Sequence, residues 1–338
     1  MTATRLLGYL RSWEALIALL LVAALIFGRQ QSDIFLTGQT FTNGSLEFTE
    51  VALIVMPLVL VIVAAEIDLS VASVVSLSSA VMGWLWNHDV PIEAIIPLCV
   101  GVGALCGAFN GFLVTRLGLP SLAVTIGTLT LFKGLAYVVA KESSVTDLPE
   151  SYTNWSRNTF AGTAVPNTIV LAAIGVVVAG VILHATSLGR RIYAIGANEE
   201  AARFTGLRVK RIKLGLFVAT GAVAAFAGVL LSLRNSTAAA NVGEGGLELT
   251  CVAVAVLGGV SIFGGRGTIL GVLLALFLLG SVQQAMRLSP DISPYWIPIV
   301  TGLLLILSVL VPNVVSTIAG RRRRVALPTQ PALIKEPS

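Results

Sequence analysis

The sequence reads as an all-α integral membrane protein of about ten transmembrane helices, with cytoplasmic N- and C-termini and two inverted halves of five. Three observations carry this expectation. Mean hydropathy is +0.90, and only 12% of residues are charged, where soluble domains carry about 25%. Ten apolar runs approach the roughly 20 residues that span a bilayer as a helix. Of the 22 Lys and Arg, 16 fall on one side of those runs, five fall on the other, and Lys133 lies inside a run. That asymmetry marks the cytoplasmic side.

The runs are 13–28, 46–65, 70–86, 93–115, 120–140, 166–186, 214–233, 247–263, 267–287 and 294–314. Residues 1–12 form a short basic lead. No small-x-small cleavage pattern follows the first run, so it is expected to be a retained helix. The second and third runs are joined only by EIDLS, Glu66 to Ser70. The fourth carries Gly101, Gly103, Gly107 and Gly111, small residues that let helices approach closely. In the fifth, Lys133 is expected to snorkel to the outer interface. The outer connection 141–165 holds Tyr152 and Trp155, and the one long inner connection is 187–213. FGGRG separates the eighth and ninth runs. After the apolar core, 13–314, the segment 315–338 carries the basic cluster Arg321–Arg324 and ends in a Pro-rich tail expected to be disordered. An even number of passes returns this basic cluster to the cytoplasm.

Several function classes drop away. The net charge of +5 follows from where a membrane chain places its basic residues and does not call for nucleic acid. Cys99, Cys106 and Cys251 lie in apolar runs and read as small hydrophobes, with neither a disulfide nor a metal site. His88 and His184 sit near run ends, which leaves too little for an intramembrane catalytic cluster.

The longest water-compatible stretch is AIGANEEAARFTGLRVKRIK, residues 194–213. Asn198 suits an N-cap, and Glu199 and Glu200 suit the first turn of a helix. Ala201, Ala202, Arg203 and Phe204 continue that helix, and Gly206 is placed to end it. Two turns are too short to stand alone. With two leading acids and a single large anchor, Phe204, this helix fits a protein socket better than a lipid surface. The following Arg208, Lys210, Arg211 and Lys213 are expected to meet lipid headgroups.

This stretch resembles the cytoplasmic coupling segment of the ribose-type branch of bacterial ABC importer permeases, whose members carry monosaccharides, rhamnose or autoinducer-2. Three further segments agree in order. AAEIDLSVASVVSLSSA (64–80) is similar to the family's "GGIDLSVG" segment, departing from it at Glu66 and Ala72. LGLPSLAVTIGTLTLFKGLAYV (117–138) and AVAVLGGVSIFGGRGTILGVLLAL (253–276) also match its patterns. The resemblance implies a non-enzymatic permease of the bacterial inner membrane that works with a second copy or paralogue. Its other partners would be two ATPase subunits, which bind the ATP and Mg, and a periplasmic sugar-binding protein. The helix from Asn198 to Phe204 would then dock in the ATPase. No cofactor is expected in this chain, which lacks any G-x-x-x-x-G-K-[ST]. The glycines of GGVSIFGGRGT (258–268) read as a tight helical hairpin.

Ionisable groups inside a span cost about 2.5–3.5 kcal/mol each at its centre. Glu66, Asp68 and Ser70 therefore form either a hairpin turn, with Ser70 capping the next helix, or a break within the membrane that faces a water-filled path. With Asn110, Thr125, Thr128, Gln283 and Gln284, they are the candidate lining of that path. An ion-coupled secondary sugar transporter is the alternative. It would favour a paired acid–base relay deep in the spans and would not need the capped acidic helix.

Overall fold

A computed structural model describes residues 13–141, 143–293, 295–308 and 310. The N-terminal lead, the end of the last run and the basic tail lie outside the described residues. The ordered elements are α1 (Trp13–Gln31), α2 (Gly38–Val63), α3 (Val71–Trp86), α4 (Ile92–Leu117), α5 (Ser121–Ala140), α6 (Glu150–Arg157), α7 (Asn167–Gly180), α8 (Ser187–Ala197), α9 (Glu199–Phe204), α10 (Val209–Asn235), α11 (Leu247–Leu257) and α12 (Ile269–Leu288). A π-turn at Val181–Ala185 extends α7, and a last apolar helix, α13, covers Trp296–Ser308. No strand occurs among the described residues. Among the described residues, seven helices are long and apolar enough to cross a bilayer, and α3 and α11 are shorter.

Each of the ten apolar runs coincides with one of these helices, and two boundaries move furthest. The second helix starts at Gly38, eight residues before the apolar run, because Thr37 accepts a hydrogen bond from the Thr40 amide and caps it. The eighth run holds only the eleven-residue α11, about 16 Å long at 1.5 Å per residue. That is half of a hydrocarbon core of about 30 Å.

Two helices form the centre. From Glu50 to Val63, α2 is buried almost throughout. Against it and α4 lies α10, in close backbone contact with α4. A Cβ on Gly107 would stand 2.1 Å from the Phe217 carbonyl oxygen, and one on Gly103 would stand 2.3 Å from that of Gly221. Gly101 faces open space and takes no part.

Non-helical backbone enters the helical core at two places, each partly buried. The first, Ala64–Ser70, joins α2 to α3. Its recess is measured against α4, where Asn110 bonds Ser70 seven residues before the helix ends at Leu117, about 10 Å along its axis. The second, residues 236–246, joins α10 to α11. It pairs with Val145 through two 2.9 Å backbone bonds at Ala238 and then descends along α3. The Ala239 amide donates to Ser79 Oγ at 3.0 Å, and Ser76 Oγ donates to the Val242 carbonyl at 2.6 Å. Buried hydroxyls on α3 thus satisfy backbone groups that lipid could not. The two breaks follow α2 and α10, the second and the seventh of the ten apolar helices and thus the same position in each group of five, and they open toward opposite faces: one beside α9, one beside α6.

Candidate functional site

On the α9 face the chain turns from α7 into α8 and α9. Thr186 caps α8 by accepting the Gly189 amide. Asn198 caps α9, its Oδ1 accepting the Ala201 amide at 2.9 Å. Gly206, at φ +81°, donates to the Arg203 carbonyl at 2.9 Å and closes the helix. Ile195, Ala202 and Val209 bury against one another beneath it, while Glu200, Ala201 and Arg203 are exposed. Phe204 is 91% exposed, so this short helix is fixed from below and free above.

Two attachments tie α8 and α9 to the membrane-embedded core. Gly196 lies on the end of α2, where a Cβ would be 1.8 Å from the Val63 carbonyl oxygen and 2.5 Å from the Gly265 amide. That amide itself donates to Val63 at 2.8 Å, and the Tyr193 hydroxyl donates to the Gly267 carbonyl at 2.6 Å. The glycine turn at 258–268 is therefore the bed of α8. It also holds Trp13 and Glu14 of α1, through Leu257 and Thr268 respectively.

The second attachment is ionic. Lys213, on the first turns of α10, is only 5% exposed. Its Nζ donates to Glu66 Oε1 at 2.5 Å and to Glu199 Oε2 at 2.6 Å, and Glu199 also pairs with Arg203. Lys213 thus corrects the headgroup expectation: it shares the inner face of α10 with Val209, Leu216 and Thr220, while Arg208, Lys210 and Arg211 point outward. Partial burial raises the Glu199 carboxyl, but the hydrogen bond and charge of Lys213, with Arg203, outweigh it and hold the group below its ordinary value.

Beyond Glu66 the break continues inward. Ile67 is held by both backbone groups: its amide donates to Ser121 Oγ at 3.1 Å, and its carbonyl accepts from Thr125 Oγ1 at 3.3 Å. Asp68 accepts from both the Ser70 amide and hydroxyl, at 3.0 and 2.6 Å. Ser70 therefore does not cap α3 with its side chain, because its hydroxyl is committed to Asp68. Asn110 Nδ2 donates to Ser70 Oγ at 2.8 Å. Among the described residues, Asn110 Oδ1 is the one buried side-chain polar atom without a partner. Ala65 takes φ +62° at the head of the break, a left-handed conformation costing about 1–2 kcal/mol for a residue with a Cβ. A pocket of about 420 Å³ opens below, between Glu66, Thr115, Ser121, Glu199, Arg203 and Lys213.

Glu66, Asp68, Ser70, Asn110 and Thr125 thus form one buried cluster, with Thr128 one turn further along α5, where it donates to the Thr125 carbonyl. Gln283 and Gln284 lie elsewhere. Gln283 donates to Thr301 of α13 at 3.1 Å, and Gln284 packs beside Gly44 of α2. Lys133 does not end free at the interface but pairs with Glu244 of the second break at 3.1 Å. Sequence reading missed Lys213 as a bridge, and it missed the buried pair of Glu50 with Arg234.

A family described as branched-chain amino acid transport system / permease component matches residues 40–309. The autoinducer 2 import system permease protein LsrD of Yersinia enterocolitica is 34% identical over 283 residues, covering 82% of this chain and 84% of that one. The LsrD proteins of Photorhabdus temperata and Yersinia pestis are 32% and 33% identical, over 83% and 82% of this chain. No solved structure matches it.

Proposed function

The chain belongs to the branched-chain amino acid transport system / permease component family, and as such, we propose, it carries a small sugar-like polyol through the bacterial inner membrane as the permease subunit of an ABC importer. The LsrD relatives are named for autoinducer 2 import, which makes that compound or a related monosaccharide the first substrate to test. Two ATPase subunits would bind ATP and Mg beneath α9. A second copy of this chain or a paralogue would complete the membrane part, and a periplasmic binding protein would deliver the solute. Both termini and α9 would then lie in the cytoplasm.

The observation that carries this reading is the Lys213 bridge between Glu199 on α9 and Glu66 in the membrane break. A plain surface loop needs no such link. Closure of an ATPase cleft on Phe204 and the exposed acids would pull α9. Lys213 would pass that displacement to Glu66, and Gly196 would pass it to Val63 and the glycine turn. Buried, closely packed contacts of this kind transmit displacement because they have few alternative arrangements. The cluster around Asp68, Ser70 and Asn110 offers the donors and acceptors that a hydroxylated solute exchanges for water.

The test is capture of partners from native membranes by a tagged chain beside its Glu200→Lys variant. Wild type is expected to retain a P-loop ATPase in mild detergent with ATP present, and the variant to express normally but lose it. Retention by neither protein overturns the reading.

A further inference from the structure

The second break borders a cavity of about 510 Å³ on the face opposite α9, within the size range of small-molecule sites. Its charged walls are already neutralised in pairs. Glu50 is 3% exposed and lies 3.3 Å from Arg234, which also donates to the Leu46 carbonyl. Glu47 pairs with Arg287. Glu244 takes Lys133 at 3.1 Å and the Tyr137 hydroxyl at 2.8 Å. Three carboxylates thus each have a base, so the cavity presents little net field to an ion. A paired carboxylate still keeps lone pairs for hydroxyl donors. Between these walls stands Asn241, which is exposed; its backbone carbonyl accepts from the Glu244 amide at 3.2 Å, while its side-chain amide has no hydrogen bond to the described residues. Its amide can both donate and accept.

The floor of the cavity leads toward the first break. Val242 takes a hydrogen bond from Ser76, and a Cβ on Gly243 would lie 2.8 Å from Val75 and 3.4 Å from the Ala72 carbonyl oxygen. Ala72 is two residues from Ser70. Interrupted helices in matching positions of two halves are where membrane carriers place their solutes.

We propose that this cavity is the outer admission site for a neutral polyhydroxylated solute, held by Asn241 and by the paired carboxylates Glu47, Glu50 and Glu244. The assignment deepens the importer reading and rests on it. A zwitterionic amino acid fits less well, because its carboxylate would have to displace Glu50 from Arg234.

The test uses cells carrying the complete importer. Asn241→Leu is expected to lower uptake of autoinducer-2 at subsaturating concentration by tenfold or more, while ATPase capture is unchanged. Asn154→Leu, at an exposed asparagine on α6 outside the cavity, is expected to leave uptake intact. In parallel, Asn241→Cys is expected to react with a membrane-impermeant maleimide from outside and to be protected by autoinducer-2 or ribose in millimolar excess. The native cysteines are all buried and give little background. Normal wild-type uptake with no effect of Asn241→Leu overturns the site and leaves the importer reading standing. Uptake of leucine in place of either polyol overturns the neutral-solute assignment. Absence of both polyol uptake and protection overturns the site as well.

Discussion

Lys213 Nζ stands 2.5 Å from Glu66 and 2.6 Å from Glu199, so one buried cation joins the membrane break to the exposed helix α9. Removing one partner of a buried ion pair leaves an uncompensated charge, which costs about 3–5 kcal/mol. Lys213→Met is therefore expected to lower the thermal midpoint of the purified permease by several degrees. The double variant Lys213→Met with Glu66→Gln should regain most of that loss, because the orphaned carboxylate is gone. A double variant no more stable than Lys213→Met would show that the bridge carries no such energy.

The α9 attachment should also depend on pH. Glu199 is held below the ordinary glutamate value of 4.5 by Lys213 and Arg203. A group depressed in the folded state contributes stability that is fully present above its ordinary value and fades as pH falls through the lower, folded one. Amide hydrogen exchange of residues 199–204, corrected for intrinsic rates, should stay constant from pH 7 to about 5. It should then quicken below the ordinary value. Glu199→Gln should flatten that dependence, and a profile identical to wild type would separate Glu199 from the attachment.

Gly196 has no room for a side chain. Gly196→Val places carbon atoms inside the Val63 carbonyl and the Gly265 amide, where the rigid neighbours are backbone. We expect loss of a monodisperse species on size-exclusion chromatography, or proteolytic cleavage within 187–213 at least tenfold faster than in wild type. Gly215→Val, at a glycine with open space around it, should be tolerated.

Capping and docking should separate. Asn198→Ala removes an N-cap worth about 1 kcal/mol and should lower exchange protection across α9 about fivefold. Phe204→Ala touches a ring that is 91% exposed. It should leave that protection and the thermal midpoint unchanged, yet weaken ATPase capture at least tenfold. Equal capture by Phe204→Ala and wild type would remove Phe204 from the docking surface.

The ten apolar runs were legible because each needs only length and hydropathy, and the α9 cap because Asn198, Glu199 and Gly206 carry local chemistry. The break at Glu66–Ser70 was visible as charge without a loop, but its depth depends on Asn110 and Thr125, which lie far away in sequence. The second break falls in the connection between the runs 214–233 and 247–263, where it reads as an ordinary loop. Its signal was NVGEGG, where Gly243, Gly245 and Gly246 all take positive φ just before the helix begins at Leu247. Lys213 was obscured by its basic neighbours. Its spacing from Val209, Leu216 and Thr220 places it on the inner face of α10, and that periodicity is present in the sequence. The pairing of Glu50 with Arg234 spans 184 positions and leaves no local trace.

The claim that joins these parts is that motion of α9 reaches the membrane through Lys213. ATP hydrolysis and solute uptake should be measured together on the assembled importer carrying Lys213→Met with Glu66→Gln, an uncharged replacement that keeps the fold. Transmission through the bridge requires hydrolysis within about twofold of wild type and uptake reduced at least tenfold. If uptake stays in proportion to hydrolysis, the coupling runs elsewhere and the bridge serves only to hold α9 in place.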